Sequence, residues 1–277
     1  MNSTNRRDSA PRTTDTVTDR TAVTGGLCDL RGKRAAVTGG SRGIGAATAA
    51  LLARCGADVA ISYRSRTADA QRLLASLAPL GVRTRARAAE LADAVDVDAF
   101  FADVAEAWGG VDIFVGNAGI WPADEAAVDA MPDERWRRTM AENVDGMFHS
   151  TRAALRHMGT GGRVVLVSST AGQRGEAMHA DYAASKGAMI AFVKSVAIEV
   201  AARGITVNSV APGWVETEMC EQPFANGGRE RIARSIPVGR IATPDDIAAP
   251  IVFLCSPEAR HITGEILNVN GGSVLCG

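Results

Sequence analysis

Two side chains in the second half of the chain have the types and spacing needed for proton transfer. Tyr182 and Lys186 are four residues apart in a helix-compatible stretch, so both project from one face of a helix. Ser169 precedes the tyrosine by thirteen residues and follows an apolar run that indicates a strand. A phenol beside an ammonium can exchange a proton with a carbon-bound oxygen, and a serine hydroxyl can hold that oxygen. These three side chains together predict acid–base chemistry on an alcohol or a carbonyl. The alternative is that Tyr182 is a surface tyrosine that has this spacing from an unrelated lysine.

The efficiency of this exchange depends on the pKa of Tyr182. A free tyrosine has a pKa of about 10, which is too high for proton exchange near neutral pH. The Lys186 ammonium and the positive ring of an oxidised nicotinamide would both favour the tyrosinate. Lowering the pKa to about 7 requires roughly 4 kcal/mol, which two cations in a partly dry site can supply. We also expect Lys186 to hold ribose hydroxyls, and Asn143 to bind a water that connects Lys186 to solvent.

A glycine-rich turn near the start of the chain predicts a dinucleotide site. Residues 38–45 have the sequence TGGSRGIG, between an apolar run and an alanine-rich stretch. Gly39 permits a tight turn, while Gly43 and Gly45 let backbone N–H groups and a helix N-terminus approach a pyrophosphate. The spacing is GxxxGxG, and the flanking strand and helix favour dinucleotide binding over a plain turn.

The residues after the second predicted strand indicate which dinucleotide is bound. An NAD site usually has an acidic residue there, whereas this chain has Tyr63 and Arg64, with Arg42 inside the glycine turn. Two guanidiniums without a carboxylate suit a 2′-phosphate. The prediction is therefore NADP(H), with NAD(H) disfavoured. The alternative is that Arg64 and Arg66 are solvated loop residues.

Other candidate cofactor contacts lie at the ends of predicted strands. Glu90, after the third strand, could accept a hydrogen bond from the adenine amino group. The turn Asn117-Ala118-Gly119, after the fourth strand, is small enough to pass close to the cofactor. The remaining candidates of this kind are Ser41, Ile44 and Leu91.

Strands and helices alternate from residue 34 to the C-terminus, which predicts one Rossmann-type, doubly wound parallel sheet of about seven strands with helices on both faces. Several strands are apolar without alternation, as expected when both sheet faces are covered. The predicted strands are Ala35–Thr38, Val59–Tyr63, Val82–Ala86, Ile113–Val115, Val164–Val167, Thr206–Val210 and Ile266–Val269. The predicted helices are Ala46–Cys55, Ala68–Leu77, Asp96–Trp108, Pro132–His157, Tyr182–Ala202 and Pro244–Cys255.

Composition excludes several classes of protein. Residues 1–28 are polar without periodicity and predict a disordered tail, which leaves residues 29–277 as one α/β domain. The chain has 30 Lys and Arg against 31 Asp and Glu, so we expect no nucleic-acid partner. No apolar run is long enough to span a bilayer, and we expect no membrane association. The five scattered cysteines predict free thiols in a cytoplasmic protein, with no disulfide framework and no metal site.

These motifs together resemble the short-chain dehydrogenase/reductase family over nearly the whole chain, from about residue 30. The residues that carry the resemblance are TGGSRGIG, Asn117-Ala118-Gly119, Asn143, Ser169 and the YAASK segment that begins at Tyr182. The resemblance implies a catalytic tetrad of Asn143, Ser169, Tyr182 and Lys186, delivery of the pro-S hydride, and a homotetramer. It also implies cofactor contacts from the Pro-Gly turn, at Pro212, Gly213, Val215 and Thr217.

Within the family, the arginine pattern and the C-terminal residues are most similar to the 3-oxoacyl-[acyl-carrier-protein] reductases. One departure concerns the acyl carrier, because those enzymes tend to have basic residues before the fifth strand and this chain has Gly159-Thr160-Gly161-Gly162. Arg163 and Arg203 remain as possible carrier contacts, and each could equally be a solvated helix or strand end.

Loops beyond the strand ends supply the candidate substrate contacts. These are Trp121, Gln173, Arg174 and residues 214–229, whose composition is typical of a mobile lid. His179 could be a second proton donor, but a helix-start histidine that faces solvent is the favoured interpretation.

The sequence therefore predicts an NADPH-dependent reductase of a ketone or a β-ketoacyl thioester, with Tyr182 as the proton donor. The substrate is a small carbonyl compound or alcohol, which an acyl carrier protein could present. One alternative is a dehydrogenase that oxidises a small alcohol or sugar. A second is a non-catalytic regulatory protein that binds NADP(H).

Overall fold

A parallel sheet of seven strands runs through the part of the chain that the structure, a computed structural model, describes, which is residues 28–275. The predicted tail, residues 1–28, lies outside the described residues except for Cys28. The strand order is β3-β2-β1-β4-β5-β6-β7, and each neighbouring pair is parallel. The strands are β1 Arg34–Val37, β2 Asp58–Tyr63, β3 Thr84–Ala88, β4 Val111–Gly116, β5 Met158–Val167, β6 Thr206–Pro212 and β7 Ile266–Val269.

Ten helices connect these strands in the described residues. They are α1 Gly43–Arg54, α2 Thr67–Leu77, α3 Ala94–Trp108, α4 Asp133–Met140, α5 Gly146–Arg156, α6 Thr170–Arg174, α7 Ala180–Val200, α8 Glu221–Phe224, α9 Gly228–Ser235 and α10 Pro244–Cys255. None of the helices in the described residues is long and apolar enough to cross a membrane.

The helices cover both faces of the sheet and create two cores. On one face, α1 and α10 pack against each other, α1 over β1 and β2 and α10 over β5 and β6, with Leu52 and Ile251 fully buried. On the other face, α3, α5 and α7 cover the sheet around Phe100, Phe101 and Phe114, whose rings meet edge to face. Because both faces are buried, β1, β4 and β6 consist mainly of small and apolar residues and do not alternate between apolar and polar positions.

The order in which successive strands are added to the sheet reverses at β1, and this reversal determines where a ligand can bind. β1 pairs with β2 on one side and with β4 on the other, so a crevice opens beyond the carboxyl ends of β1 and β4. In open parallel sheets, ligands bind at such a switch point. The predicted fold class is confirmed, and the crevice lies where the glycine turn was predicted to act.

Several predicted boundaries were wrong. β5 begins at Met158, six residues earlier than predicted, because Val111 pairs with Met158 before a bulge in the register. β3 ends at Ala88, two residues later than predicted. The segment predicted as one helix over 132–157 is interrupted by a π-helical turn, Ala141–Asp145, between α4 and α5. The short helices α6, α8 and α9 were not predicted.

Candidate active site

A cleft of about 570 Å³ lies beyond the carboxyl ends of the central strands. The glycine turn and the end of β2 form one end of it, and Tyr182 lies at the other. The predicted site residues that line it are Gly39, Ser41, Arg42, Gly43, Ile44, Tyr63, Arg64, Glu90, Leu91, Asn117, Ala118, Gly119, Ser169, Tyr182, Lys186, Pro212, Gly213, Val215 and Thr217. Gly45 and Asn143 do not line the cleft and lie behind its wall.

The glycine turn forms a close-packed cradle. Gly39 and Gly43 have φ values of +62° and +55°, a region that favours glycine. A Cβ on Gly45 would lie 2.3 Å from the Gly39 carbonyl oxygen, so that position has no room for a side chain. Asn117 fixes the turn, because its side-chain amide donates to the carbonyl oxygens of Thr38 at 3.1 Å and Gly39 at 3.2 Å. The turn therefore presents backbone N–H groups and the N-terminus of α1 to the cleft, which fits a pyrophosphate.

Three arginines surround the end of the cleft next to β2. Arg42 and Arg66 both donate to the Glu218 carboxylate, Arg66 at 3.0 Å. Arg64 donates to Glu142 at 2.5 Å. The carboxylates come from other segments of the chain and not from the end of β2. The concentration of guanidiniums fits a phosphate group on the ribose.

Tyr182 lies in the first turn of α7 and is buried, with 9% of its surface exposed. Its hydroxyl is hydrogen-bonded with the side chain of Ser169, which is the N-cap residue of α6 and also accepts a hydrogen bond from the Ala171 N–H at 3.1 Å. Burial raises the pKa of Tyr182 above its usual value, and the hydrogen bond with Ser169 opposes this only in part. The expected lowering of this pKa by two cations includes the charge of the oxidised nicotinamide and stays a prediction, because in the protein without cofactor desolvation is the largest influence on the phenol.

Lys186 follows one turn later on the same face of α7. Its Nζ donates to the Val167 carbonyl oxygen at 2.8 Å and lies 5.8 Å from the centre of the Tyr182 ring. Burial lowers the pKa of Lys186 from 10.5 to about 8. The lysine is thus held under the tyrosine by the last residue of β5.

Asn143 occupies the centre of the π-helical turn, a type of turn that is frequent at functional sites. Its Oδ1 accepts a hydrogen bond from the Ile120 N–H at 2.8 Å, and its Nδ2 donates to the Ile120 carbonyl oxygen at 2.9 Å. Nδ2 also donates to Ser185 Oγ at 3.0 Å, which in turn donates to the Tyr182 carbonyl oxygen at 2.7 Å. Asn143 thus connects the loop after β4 to the helix that carries the tyrosine. Its role in a water relay stays a prediction.

A buried ion pair fixes the start of α7. Asp181, which is fully buried, accepts hydrogen bonds from Arg135 Nε at 3.0 Å, Arg135 Nη2 at 3.1 Å and Thr139 Oγ1 at 2.8 Å. Burial favours the neutral acid, but the bonds from Arg135 and Thr139 outweigh it, and the pKa of Asp181 is lowered. Since Asp181 immediately precedes Tyr182, this pair holds the tyrosine at a fixed position relative to α4.

The open side of the cleft has an aromatic wall. Trp121 and Trp214 line it with their rings edge to face at 6.3 Å, and Phe224 packs on Trp214 at 6.1 Å. Arg174 also lines the cleft, whereas Gln173 points away and donates to Asn268 at 2.6 Å.

His179 is not a solvent-facing residue, which corrects the prediction. Its side chain is buried and stacks on Trp121, with ring centres 4.5 Å apart and an interplanar angle of 16°. The aromatic stack removes the ring from water. Glu176, which also lines the cleft, was missed by the sequence analysis, because nothing in its neighbours predicts that it is half-buried. Burial raises the pKa of Glu176, and the Trp121 indole is hydrogen-bonded to it.

The two candidate carrier contacts are used within the chain. Arg163 Nη1 donates to the carbonyl oxygens of Gly161 at 2.8 Å and Gly162 at 2.9 Å, and Arg203 donates to the carbonyl oxygens of Leu155 and Met158. Arg203 contacts the amino end of β5 and Arg163 lies in the middle of that strand, whereas the cleft lies at its carboxyl end.

Four cysteines lie within residues 28–275, and Cys220 is among the residues that line the cleft. Cys28, Cys55, Cys220 and Cys255 are free thiols. Within residues 28–275, no group of three or more His, Cys, Asp or Glu side chains could hold a metal ion.

Known proteins share both this fold and these motifs. The sequence profile of the family described as enoyl-(acyl carrier protein) reductase matches residues 39–273. The 3-oxoacyl-[acyl-carrier-protein] reductase FabG of Vibrio cholerae is 42% identical over 249 residues, which are 89% of this chain and 99% of the relative.

Two solved structures with bound cofactor are also similar. A short chain dehydrogenase from Burkholderia cenocepacia in complex with NADP has a TM-score of 0.83 and 40% identity, over 88% of this chain and 99% of that one. A blue fluorescent protein from a metagenomic library, in complex with NADPH, has a TM-score of 0.84 and 36% identity, over 89% and 100%.

Proposed function

Because this chain belongs to the short-chain dehydrogenase/reductase family, we propose that it is an NADPH-dependent reductase of a ketone or a β-ketoacyl thioester. It is an NAD(P)-dependent oxidoreductase that acts on CH–OH or C=O groups. The observation that carries the finer proposal is the position of Tyr182, a buried phenol hydrogen-bonded with Ser169 and held above Lys186 at the end of a cleft.

The cofactor of this reaction is NADP(H). The cradle around Gly39 and Gly45 has no room for side chains and presents N–H groups to a pyrophosphate, while Arg42, Arg64 and Arg66 suit a 2′-phosphate. The small residues Ala118 and Gly119 and the Pro212-Gly213 turn line the cleft between this end and Tyr182. When bound, the reduced nicotinamide supplies the hydride that adds to the carbonyl carbon.

The side chains of this protein supply the proton and hold the substrate oxygen. Ser169 Oγ accepts from the Ala171 N–H and its hydroxyl is hydrogen-bonded with Tyr182, so both hydroxyls can contact the same substrate oxygen. Burial raises the pKa of Tyr182, which keeps the phenol protonated at neutral pH, so it holds the proton that the substrate oxygen must receive. Lys186 has a pKa of about 8, so its ammonium is the main form below that pH and stabilises the tyrosinate that remains after the transfer.

The aromatic wall supports a substrate with an apolar portion. Trp121, Trp214 and Met219 line the cleft that Tyr182 also lines, and they offer apolar surface on which an acyl chain or a ring can pack. The curated relative from Vibrio cholerae is named a 3-oxoacyl-[acyl-carrier-protein] reductase, which supports a thioester substrate on an acyl carrier protein.

We also propose the homotetramer and the cytoplasmic location that the sequence predicts. Phe148 on α5 and Ile198 on α7 expose 41% and 77% of their surfaces, which supports contact between copies through these helices. Light scattering in solution should give four times the monomer mass, and a stable monomer would contradict the tetramer.

A panel of carbonyl compounds tests the proposed reaction. Purified protein should oxidise NADPH with acetoacetyl thioesters faster than with free ketones or sugars, and faster with NADPH than with NADH. Activity only in the oxidative direction with NAD would instead support an alcohol or sugar dehydrogenase. No turnover of any carbonyl compound would support the non-catalytic alternative.

A further inference from the structure

One carboxylate, that of Glu218, binds two arginines from different segments that line the cofactor cleft. Arg42 precedes α1 in the glycine turn, and Arg66 precedes α2 after β2. Both guanidiniums donate to the same oxygen of Glu218, Arg66 at a distance of 3.0 Å. Three segments far apart in the sequence therefore meet at a single negative charge.

This meeting point lies where a phosphate on the cofactor ribose would bind. All three residues line the cleft next to Tyr63, at the carboxyl end of β2. Guanidiniums bind carboxylates and phosphates with the same donor geometry, so the two anions compete for the same donors. A phosphate dianion also repels a carboxylate within a few ångströms.

Glu218 belongs to the segment that also carries candidate substrate contacts. It starts a short 3₁₀ turn, Glu218–Cys220, that leads into α8. Met219 and Cys220 in this turn line the cleft, and Phe224 at the end of α8 packs on Trp214. The two ion pairs therefore hold the segment that carries part of the aromatic wall against the cofactor end of the cleft.

We propose that Glu218 is an internal substitute for the 2′-phosphate, so that NADP(H) must displace it and in doing so releases the substrate segment, residues 218–224. NAD(H) lacks the displacing group and leaves the ion pairs intact. Glu218 thus sets the affinity for the phosphorylated cofactor and couples its binding to the substrate side. The inference rests on the NADP(H) site of the proposed function, but its tests use binding alone and need no turnover.

Removing the charge of Glu218 should strengthen binding of NADPH selectively. In E218Q, the Kd for NADPH should fall about fivefold while the Kd for NADH is unchanged. At 1.4 kcal/mol per tenfold, this corresponds to about 1 kcal/mol, within the range for two exposed ion pairs. The matched control is E221Q, because Glu221 lies in the same segment, does not line the cleft, and has no ion pair within residues 28–275.

The Kd values of the two variants show whether Glu218 competes with the 2′-phosphate. A lower Kd for NADPH in E218Q but not in E221Q supports the competition. An unchanged or higher Kd for NADPH in E218Q would overturn it, and so would an equal change for NADH. Thermal melting of both variants checks that the fold is intact.

Hydrogen exchange tests the release of the segment in wild-type protein. The probes are adenosine 2′,5′-bisphosphate and adenosine 5′-monophosphate, which differ in the 2′-phosphate and lack the nicotinamide. Only the bisphosphate should speed exchange in residues 218–224, and this difference should disappear in E218Q. Equal exchange with both probes would contradict the coupling. Reductase activity on carbonyl compounds bears on the proposed reaction and leaves these results unaffected.

Discussion

Lys186 Nζ lies 5.8 Å from the centre of the Tyr182 ring and donates a hydrogen bond to the Val167 carbonyl oxygen. Burial acts on the two groups in opposite directions, since it raises the pKa of the phenol and lowers that of the ammonium. Both groups are therefore shifted towards their neutral forms in the protein without cofactor. A protonated phenol is the form that a reductase needs at the start of its reaction.

Replacing Tyr182 with Phe should abolish reduction and leave cofactor binding intact. The change removes the proton donor but keeps the ring in its buried position, so kcat should fall by about 10³-fold. The Kd for NADPH, measured by fluorescence, should be close to that of wild type. S195A is a suitable control, because it removes a hydroxyl from an exposed position of the same helix. Substantial turnover in Y182F would exclude Tyr182 as the donor.

Lys186→Met should inactivate the protein and stabilise its fold. The folded pKa of about 8 is below the usual value of 10.5, so the buried ammonium destabilises the folded state at every pH below about 8. We expect the free energy of unfolding of the variant to exceed that of wild type by about 2 kcal/mol at pH 7, after allowance for the lost bond to Val167.

The pH dependence of this difference provides the check. In wild type, the free-energy cost of burying the Lys186 ammonium disappears as pH rises from about 8 to 10.5. The difference in the free energy of unfolding between K186M and wild type should therefore shrink over that interval. Denaturant titrations at pH 7 and pH 10 measure both values. If K186M were less stable than wild type at pH 7, the buried ammonium would not destabilise the folded state as expected.

Arg135→Leu should destabilise the protein by about 3 kcal/mol, because it leaves the buried Asp181 carboxylate without its partner. Without the arginine, burial would raise the pKa of Asp181, so the loss relative to wild type should diminish as pH falls and the acid is protonated. The matched control is R137L on the same helix, where Arg137 and Asp133 form an exposed pair. Equal losses in the two variants, measured by urea unfolding, would exclude a special role for the buried pair.

Gly45→Ala should impair the cofactor cradle. The new Cβ would lie 2.3 Å from the Gly39 carbonyl oxygen, so the backbone of the turn must move. We expect an increase in the Kd for NADPH of about tenfold or more and a loss of about 1–3 kcal/mol in stability. G159A is the control, since a Cβ there would meet nothing within 4 Å and its φ is not positive. Unchanged NADPH binding in G45A would show that the turn does not hold the cofactor.

The fold and the cleft could be predicted because local sequence determines them. Apolar strand runs, the glycine turn and the spacing of Tyr182 and Lys186 each depend on neighbouring residues only. The π-helical turn was missed because it depends on bonds between Asn143 and Ile120, residues that are distant in the sequence. A helical pattern over 132–157 contains no signal for it.

The burial of side chains in the cleft and the partners of its charged groups could not be predicted either, because both depend on contacts between residues that are distant in the sequence. The pKa of Tyr182 depends on how completely tertiary packing removes it from water, and the sequence indicated only the nearby cation. His179 is buried because Trp121, from a different loop, covers its ring. The partner of Arg42 is Glu218, which follows it by 176 residues.

Transfer of deuterium from [4S-²H]NADPH to an acetoacetyl thioester tests the central claim most directly. The account predicts a 3-hydroxyacyl product with one deuterium on carbon 3, detected by mass spectrometry, and no deuterium when [4R-²H]NADPH is used. The same reaction with Y182F should give about a thousandfold less product in the same time. Absence of labelled product with wild type, under conditions in which NADPH is bound, would contradict the assignment of this protein as a carbonyl reductase.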